Sequence, residues 1–337
     1  MTTISDVAKL AKVSTMTVSR VINDRGGVSQ ATRARVGEAI AELGFVPNAL
    51  ARSLRFKQTK TIALIITDIT NPFFTTVARG VEDAASEQGF NVILCNTDES
   101  EAKERDYVTM LIQKRVDGVL VVPARCSAES ISLLQHHSIP TVVLDRRVPG
   151  VQTDVVIGDS EQGAFDLTRV LLEQGHRRIA VLSGPESVST AVDRVSGCRR
   201  AMFEAGCSDG DLLVLHDEFS QEGGYRMAVD VLKNVPRPTA VFAGNNFIAI
   251  GTYEALRGTG IKVPDDISLV AFDDLPLPLA MDPFLTVATQ PAYDMGHRAM
   301  ELLLDRLVGT APPEPREVMF PVDLVVRRSS GPVPCRD

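Results

Sequence analysis

The chain has 337 residues, 44% of them hydrophobic and 23% charged, a composition that is typical of folded globular proteins and excludes a disordered or fibrous one. At the usual ~100 to 200 residues per domain, this length predicts two or three domains. No stretch approaches the roughly 18 uninterrupted apolar residues of a membrane helix, and the first residues lack the apolar core of a signal peptide. We therefore expect a cytoplasmic protein with no membrane partner.

The net charge of −8 is distributed unevenly along the chain. Residues 1–60 carry ten basic and four acidic side chains, a charge of +6, which leaves −14 for the remainder. Such an asymmetry is typical of a polyanion-binding module attached to an acidic body. A solvated basic face without a partner is the alternative that charge alone leaves open.

Two short helices are predicted at the start of the chain. Thr3 and Asp6 have the spacing of a capping box, which begins a first helix that runs to about Ala11. After a short link, Ser14 can cap a second helix that ends near Asn23. Both helices carry an apolar stripe, so we expect them to pack against each other.

A third helix starts at Ser29 and stops at Gly44, and its apolar face can cover those of the first two. Two short helices joined by a tight turn and covered by a third form a helix-turn-helix unit. We predict a DNA-binding headpiece over residues 1–46, followed by a hinge helix and linker over residues 47–59.

The second helix of such a unit enters the major groove and presents its N-terminal part to base edges. Arg20 lies opposite Val18 and Val21, where its guanidinium can form two hydrogen bonds with a guanine. The predicted base-reading residues are Thr15, Met16, Thr17 and Arg20. The side chains better suited to phosphate oxygens are those of Ser14, Thr17, Ser19 and Asn23.

From Thr61 onward, short apolar runs alternate with amphipathic stretches of helix length. The runs include IALII, VILC, GVLVV, TVVL, VVI, IAVL, AVFA and SLVAF. Continuous apolar strands separated by helices indicate parallel sheets covered on both faces. The predicted fold class is α/β, with two doubly wound parallel-sheet lobes in residues 60–337. We place the second lobe at about 160 to 288, with the chain crossing back near 289–325.

Enzyme motifs are missing from this body. It has no G-x-G-x-x-G after a strand, no G-x-x-x-x-G-K-S/T, no G-x-S-x-G and no H-E-x-x-H. The five histidines have no metal-ligand spacing and are expected at surfaces or helix ends, and the five cysteines are scattered and expected to be reduced. The sequence therefore predicts neither an enzyme nor a metal site, and no cofactor.

Polar and aromatic residues follow the predicted strands, at the edge where open α/β sheets bind ligands. They are Asn71, Phe73, Phe74, Asp145, Arg146, Arg194, Phe219, Asn245, Asp273 and Gln290. Carboxylates and amides can hold pairs of hydroxyls, guanidiniums can donate to sugar oxygens, and phenylalanines can pack on C–H faces. Taken singly, each residue is typical of a turn or a helix cap, but together they favour a sugar site.

The N-terminal strings TISDVAKLAKVSTMTVSRVIN and VSQATRARVGEAIAELGFVPNALARSL closely resemble the start of LacI/GalR-family bacterial transcription regulators, and the resemblance covers the whole chain. In that family the segment after Pro47 becomes helical on the operator, and the resemblance implies that Leu54 wedges into the minor groove. Arg52 and Arg55 would then lie near phosphates. A helix this short is unstable alone, so folding on DNA is physically expected.

The body resembles periplasmic sugar-binding proteins. Its NPFF, LDR and FDD strings, with Arg194, Phe219, Asn245 and Gln290, are similar to the ligand-contacting positions of ribose-binding proteins. The resemblance implies an uncharged, ribose-like effector and a homodimer on a pseudo-palindromic double-stranded operator. Asn246 departs from the family, which often has Asp there. The C-terminal tail lacks leucine heptads, so we expect no tetramer-forming helix.

The sequence favours a sugar-controlled transcriptional repressor over three alternatives. A sugar-binding transport or sensor protein would need an export signal where this chain has a basic helical module. A sugar-modifying enzyme would need a catalytic pair that no motif supplies. A regulator that responds to a purine or nucleoside remains open, because it would use the same architecture with a different pocket.

Overall fold

The computed structural model describes residues 2–24, 26–46, 58–275 and 283–334. They divide into two compact units, Met1–Thr59 and Lys60–Asp337. Among the described residues, no helix combines the length and apolarity needed to cross a membrane.

The described residues of the first unit form three helices, α1 (Ile4–Ala11), α2 (Thr15–Ile22) and α3 (Gln30–Leu43). Thr3 and Asp6 form the predicted capping box, and the side chains of Ser14 and Ser29 accept hydrogen bonds from backbone N–H groups in the first turns of α2 and α3. Gly44 ends α3 in the left-handed conformation, with φ +55°. The apolar faces of the three helices meet in one small core, which confirms the predicted helix-turn-helix arrangement.

The second unit is built from two lobes, each with a six-stranded sheet. The strands of lobe 1 have the spatial order β11-β5-β4-β3-β1-β2. They are β1 (Thr61–Ile66), β2 (Asn91–Asn96), β3 (Gly118–Val121), β4 (Thr141–Leu144), β5 (Asp154–Gly158) and β11 (Glu317–Phe320). The helices of this lobe are α4 (Pro72–Glu87), α5 (Glu101–Lys114), α6 (Glu129–His136) and α11 (Ala292–Val308).

Lobe 2 has the same architecture, and the strands of its sheet have the spatial order β12-β10-β9-β8-β6-β7. Its strands are β6 (Ile179–Ser183), β7 (Leu212–His216), β8 (Ala240–Ala243), β9 (Ser268–Phe272), β10 (Thr286–Thr289) and β12 (Asp323–Val325). Its helices are α7 (Ser160–Glu173), α8 (Ser189–Glu204), α9 (Gln221–Leu232) and α10 (Asn246–Gly258). All described strand pairs are parallel except β10 with β12, which is antiparallel.

Within the described residues the chain passes between the lobes three times, after β5, after β10 and after β11. The central strands of both sheets are buried along their whole length, as in β3, β4, β8 and β9. Helices therefore cover both faces, which is why these strands read as unbroken apolar runs in the sequence. The carboxyl ends of the two sheets face a common cleft.

Helices α4 and α11 pack so closely that only glycine fits at their crossing. A Cβ on Gly80 would lie 2.1 Å from the carbonyl oxygen of Tyr293, and one on Gly296 would lie 2.1 Å from the carbonyl oxygen of Val77. Since neither obstacle is a flexible side chain, the two glycines set the distance between the helices.

His176 lies at a helix end, as expected of the histidines, because it directly follows the C-terminal turn of α7, and its imidazole is fully buried. Its Nδ1 lies 2.9 Å from Thr239 Oγ1, and its Nε2 lies 3.1 Å from Ser268 Oγ and 3.0 Å from the carbonyl oxygen of Gly331. The imidazole thereby ties the C-terminal segment to lobe 2, and burial lowers its pKa.

Candidate effector cleft and nucleic-acid interface

Helix α2 presents an exposed polar surface on the side opposite its core contact. Val18 is fully buried, whereas Thr15, Met16 and Arg20 are exposed, and Met16 keeps 67% of its surface accessible. An exposed methionine and arginine on one short helix are free to meet an external partner. Contact with base edges remains a prediction for these residues.

The polar residues expected at phosphates also stabilise α2 itself. Ser14 Oγ lies 2.9 Å from Thr17 Oγ1 and accepts the backbone N–H of Thr17 at 3.1 Å. Asn23 donates to the carbonyl oxygen of Ser19 at 2.6 Å. These side chains hold the two ends of the helix. The predicted hinge residues Arg52, Leu54 and Arg55 lie outside the described residues.

The second unit holds a cleft between its lobes, at the carboxyl ends of the two sheets. Nine of the ten residues predicted as effector contacts line it, namely Asn71, Phe73, Phe74, Asp145, Arg146, Arg194, Phe219, Asn245 and Asp273. The tenth, Gln290, adjoins the cleft and donates to Asp273 Oδ1 at 2.9 Å. The three further residues that line this cleft are Asp68, Glu99 and Thr190.

Two aspartates occupy equivalent places in the two lobes. Asp145 directly follows β4, and Asp273 directly follows β9. Both are left-handed, with φ +63° and +62°, and each donates its backbone N–H at 2.8 Å to the neighbouring strand, at Val156 and Ala288, respectively. Because a left-handed residue ends the strand abruptly, each carboxylate turns into the cleft instead of continuing along the sheet.

The apolar wall of the cleft comes from helix starts and one loop. Asn71 caps α4 by accepting the N–H of Phe73 at 3.0 Å, which places Phe73 and Phe74 in the first turn. Their rings meet edge to face, with centroids 5.1 Å apart, and both are buried. Phe219 lies across the cleft in lobe 2, and its ring centroid is 5.9 Å from the guanidinium carbon of Arg146.

Arg146 directly follows Asp145 in the chain, but its main partner is Glu99. Glu99 binds the buried guanidinium with both oxygens, at 2.7 Å to Nη1 and 2.6 Å to Nη2, whereas Asp145 lies 3.7 Å from Nε. The carbonyl oxygens of Pro123 and Ala124 also accept from Nη1. Glu99 follows the end of β2. Its position after a strand is the same signal that predicted the other contact residues, so the sequence also contained the signal for Glu99.

Arg194 is held from a different side. It donates from Nη1 to the carbonyl oxygen of Gly244 at 2.6 Å, and its Nη2 lies 3.9 Å from Asp273 Oδ2. Its guanidinium carbon sits 3.8 Å from the ring centroid of Phe272, a cation–π contact in a water-poor setting. Protein groups alone therefore hold both arginines in position.

Several buried polar atoms of the predicted contact residues have no hydrogen-bond partner among the described residues. They are Asp145 Oδ1, Arg146 Nε, Arg194 Nε and Gln290 Oε1. Orphaned buried polar groups are costly, so a set of two donors and two acceptors at one cleft points to a ligand that both donates and accepts.

Burial changes the acidity of the two strand-end carboxyls. It raises the pKa of Asp145 to about 6, although Arg146 and Arg194 oppose the shift. Burial also raises the pKa of Asp273, against the opposing effects of Arg194 and Gln290. Both carboxylates would gain from a ligand that donates hydrogen bonds to them.

Asn246, the departure noted in the sequence, links the lobes beside the cleft. Its Nδ2 donates to Asn71 Oδ1 at 3.0 Å, and its Oδ1 accepts from Asn71 Nδ2 at 3.2 Å. Asn246 is fully buried. A neutral amide can make this two-way exchange with Asn71, which an ionised carboxylate could not, because it has no hydrogen to donate.

Comparison with known proteins agrees with both units. Residues 59–327 match the model of periplasmic binding proteins and sugar binding domains of the LacI family, and residues 3–48 match that of bacterial regulatory proteins of the lacI family. Over 308 residues the chain is 42% identical to the HTH-type transcriptional repressor PurR of Vibrio campbellii, covering 91% of this chain and 92% of that protein.

Two solved structures extend the comparison. A lac repressor dimer bound to operator and the anti-inducer ONPF superposes with a TM-score of 0.86 at 27% identity, over 98% of this chain and 99% of that chain. A LacI family transcriptional regulator from Enterococcus faecium with bound ribose has a TM-score of 0.72 at 32% identity, over 81% of this chain and 99% of that chain.

The helix-turn-helix unit, the two parallel-sheet lobes and these matches together define a transcription regulator with a ligand-binding domain. The chain belongs to the LacI family. It is a DNA-binding transcriptional repressor with an effector domain, and its relatives are repressors and not enzymes.

Proposed function

We propose that a neutral monosaccharide, ribose or a sugar of similar shape, controls the operator affinity of this repressor by binding in the effector cleft. The observation that carries the proposal is the convergence of the predicted contact residues on one cleft, with orphaned donors and acceptors among them. Ligand binding and operator binding are then thermodynamically coupled through the closure of the two lobes.

Sugar hydroxyls match the chemistry of these orphaned atoms. A hydroxyl donates one hydrogen bond and accepts two, so one ring can satisfy Asp145 Oδ1 while it accepts from the Nε–H groups of Arg146 and Arg194. The C–H face of the ring would pack on Phe73 and Phe74.

The charge of the cleft favours a neutral ligand. Four carboxylate residues line it, Asp68, Glu99, Asp145 and Asp273, against two arginines. Of the arginines, Arg146 is already neutralised by Glu99. A phosphorylated sugar would bring its charge close to these carboxylates, where like charges repel strongly in a poorly solvated site.

Relatives support the sugar class. The Enterococcus faecium regulator described above holds ribose, and a CelR–cellobiose complex superposes with a TM-score of 0.74 at 33% identity. The name PurR belongs to relatives of higher identity, so a purine remains the ligand class against which ribose has to be tested.

On DNA, we propose a homodimer that places two headpieces on a pseudo-palindromic operator. Arg20 would read a guanine in each half-site. Leu54 would wedge into the central minor-groove step, with Arg52 and Arg55 at phosphates. The lac repressor dimer bound to operator supports this assembly through its likeness to the full chain.

Calorimetric titration of the full-length protein tests the effector directly. We expect binding heat from ribose, weaker heat from related pentoses, and none from ribose 5-phosphate or a purine base. Gel shifts on fragments of the gene's own upstream region, with and without ribose, then test the coupling. Heat from the purine but from no sugar would refute the sugar assignment.

A further inference from the structure

Two ion pairs join the lobes at the edge of the effector cleft. Arg125 Nη2 lies 3.0 Å from Glu218 Oε2, and Arg147 Nη1 lies 2.9 Å from Asp193 Oδ2. Both arginines belong to lobe 1 and both carboxylates to lobe 2. We call these two contacts the rim pairs. None of their four residues lines the cleft itself.

The pair of Arg147 and Asp193 is coupled to the cleft through the chain. Arg147 directly follows Arg146, and Asp193 directly precedes Arg194. Arg146 and Arg194 both line the cleft, one from each lobe. Each member of this rim pair is therefore the chain neighbour of an arginine of the effector site.

The pair of Arg125 and Glu218 is coupled to the cleft by contact as well as by sequence. Glu218 directly precedes Phe219, which lines the cleft. Arg125 donates from Nη1 to Glu99 Oε2 at 3.2 Å, and the same carboxylate holds Arg146. A continuous chain of charges thus runs from Arg146 in lobe 1 to Glu218 in lobe 2.

Two backbone amides at the rim also bond across the lobes. The N–H of Cys126 donates to the carbonyl oxygen of Ser187 at 3.2 Å. The N–H of Arg147 donates to Ser189 Oγ at 2.8 Å. Both hydrogen bonds require the lobes to be together, so the two amides report closure with no need for a ligand.

We propose that Arg125 and Arg147 are positioning residues for the effector, which hold the lobes closed through the rim pairs without touching the ligand. A ligand gripped by both lobes binds only the closed state, so its apparent affinity scales with the fraction of protein that is closed. Through its readout of sugar affinity the inference rests on the proposed function, whereas its readout of closure does not.

The test uses neutral isosteres in the full-length protein, Glu218→Gln, Asp193→Asn and the double variant. Glu218 keeps 55% and Asp193 29% of side-chain surface exposed, so both substitutions are compatible with folding. Glu173→Gln is the matched control, because it removes an exposed partner of Arg169 within helix α7 alone. Hydrogen exchange of the Cys126 and Arg147 amides is measured without ligand, and the ribose dissociation constant by calorimetry at low salt and about 1 M salt.

Each single variant should raise the dissociation constant about two- to fivefold, the range for partly exposed ion pairs, and the double variant about tenfold. Exchange at the two amides should rise in the same order. The differences should shrink in about 1 M salt, which screens the pairs. The control should match wild type.

Unchanged exchange in the double variant would overturn the proposal, as would faster exchange with unchanged ribose affinity. If wild type bound no sugar while exchange still rose in the variants, the role of the rim pairs in closure would stand and the proposed effector would fail.

Discussion

Removing the carboxylate of Glu99 should damage both the fold and the effector site. Glu99→Ala leaves the guanidinium of Arg146, which is 3% exposed, without the partner that binds it at two points. Breaking a buried ion pair costs about 3 to 5 kcal/mol. Glu99 keeps 19% of its side-chain surface exposed, and Arg146 retains two carbonyl acceptors, so we expect a loss of about 2 to 3 kcal/mol in the free energy of unfolding.

Calorimetric or fluorescence-probe melting should then show a Tm about 5 to 10 °C below wild type. Arg146 would also lose its orientation toward the cleft, and a lost charge-assisted hydrogen bond of about 1.5 to 3 kcal/mol predicts a ten- to hundredfold rise in the ribose dissociation constant.

The double variant Glu99→Ala/Arg146→Ala separates charge from packing. It should be more stable than Glu99→Ala alone, because it removes the orphaned cation. Additive destabilisation in the double variant, or a Glu99→Ala protein that melts with wild type, would refute the assigned role of this pair.

Further outcomes are expected from other parts of the chain. Arg20→Ala should cost about 1 to 3 kcal/mol of operator affinity and relax discrimination at one base pair per half-site, whereas an equal loss on all DNA sequences would make Arg20 a phosphate contact. Ribose affinity should fall as pH is lowered through about 6, where Asp145 gains a proton, and Asp145→Asn should bind weakly with a flat pH profile in the same titration. Burial lowers the pKa of His176, so the unfolded state takes up the proton first as the pH falls. The contribution of His176 to the free energy of unfolding should therefore be complete above about pH 6.5 and decline below it. A His176→Asn variant should show a shallower fall in Tm between about pH 7 and 5. Gly80→Ala should cost about 1 to 3 kcal/mol by pressing a methyl group on the Tyr293 carbonyl, and Gly37→Ala, with open space around its Cβ, should instead raise headpiece stability, both measured by thermal unfolding.

Local chemistry made the headpiece and the central strands readable from sequence. The capping contacts of Thr3 with Asp6 and of Ser14 with Thr17 join residues only three positions apart, so both partners are visible in a short stretch of sequence. Strands such as β3 and β9 are buried on both faces and appear as unbroken apolar runs. Strands β11 and β12 do not stand out in the sequence, because they are short edge strands with partly exposed side chains.

The sequence predicted most of the residues that line the cleft, but not which charged side chains form ion pairs with each other. The position of residues after predicted strands, together with the family resemblance, predicted most of the lining residues, since the carboxyl ends of parallel strands meet at one edge of a sheet. It could not tell that Arg146 pairs with Glu99, 47 residues away, or that Arg125 reaches Glu218, 93 residues away in the other lobe. Which charged side chains form an ion pair depends on distances of a few ångströms. Those distances are set only when the strand order and the crossings between the lobes bring separate loops together.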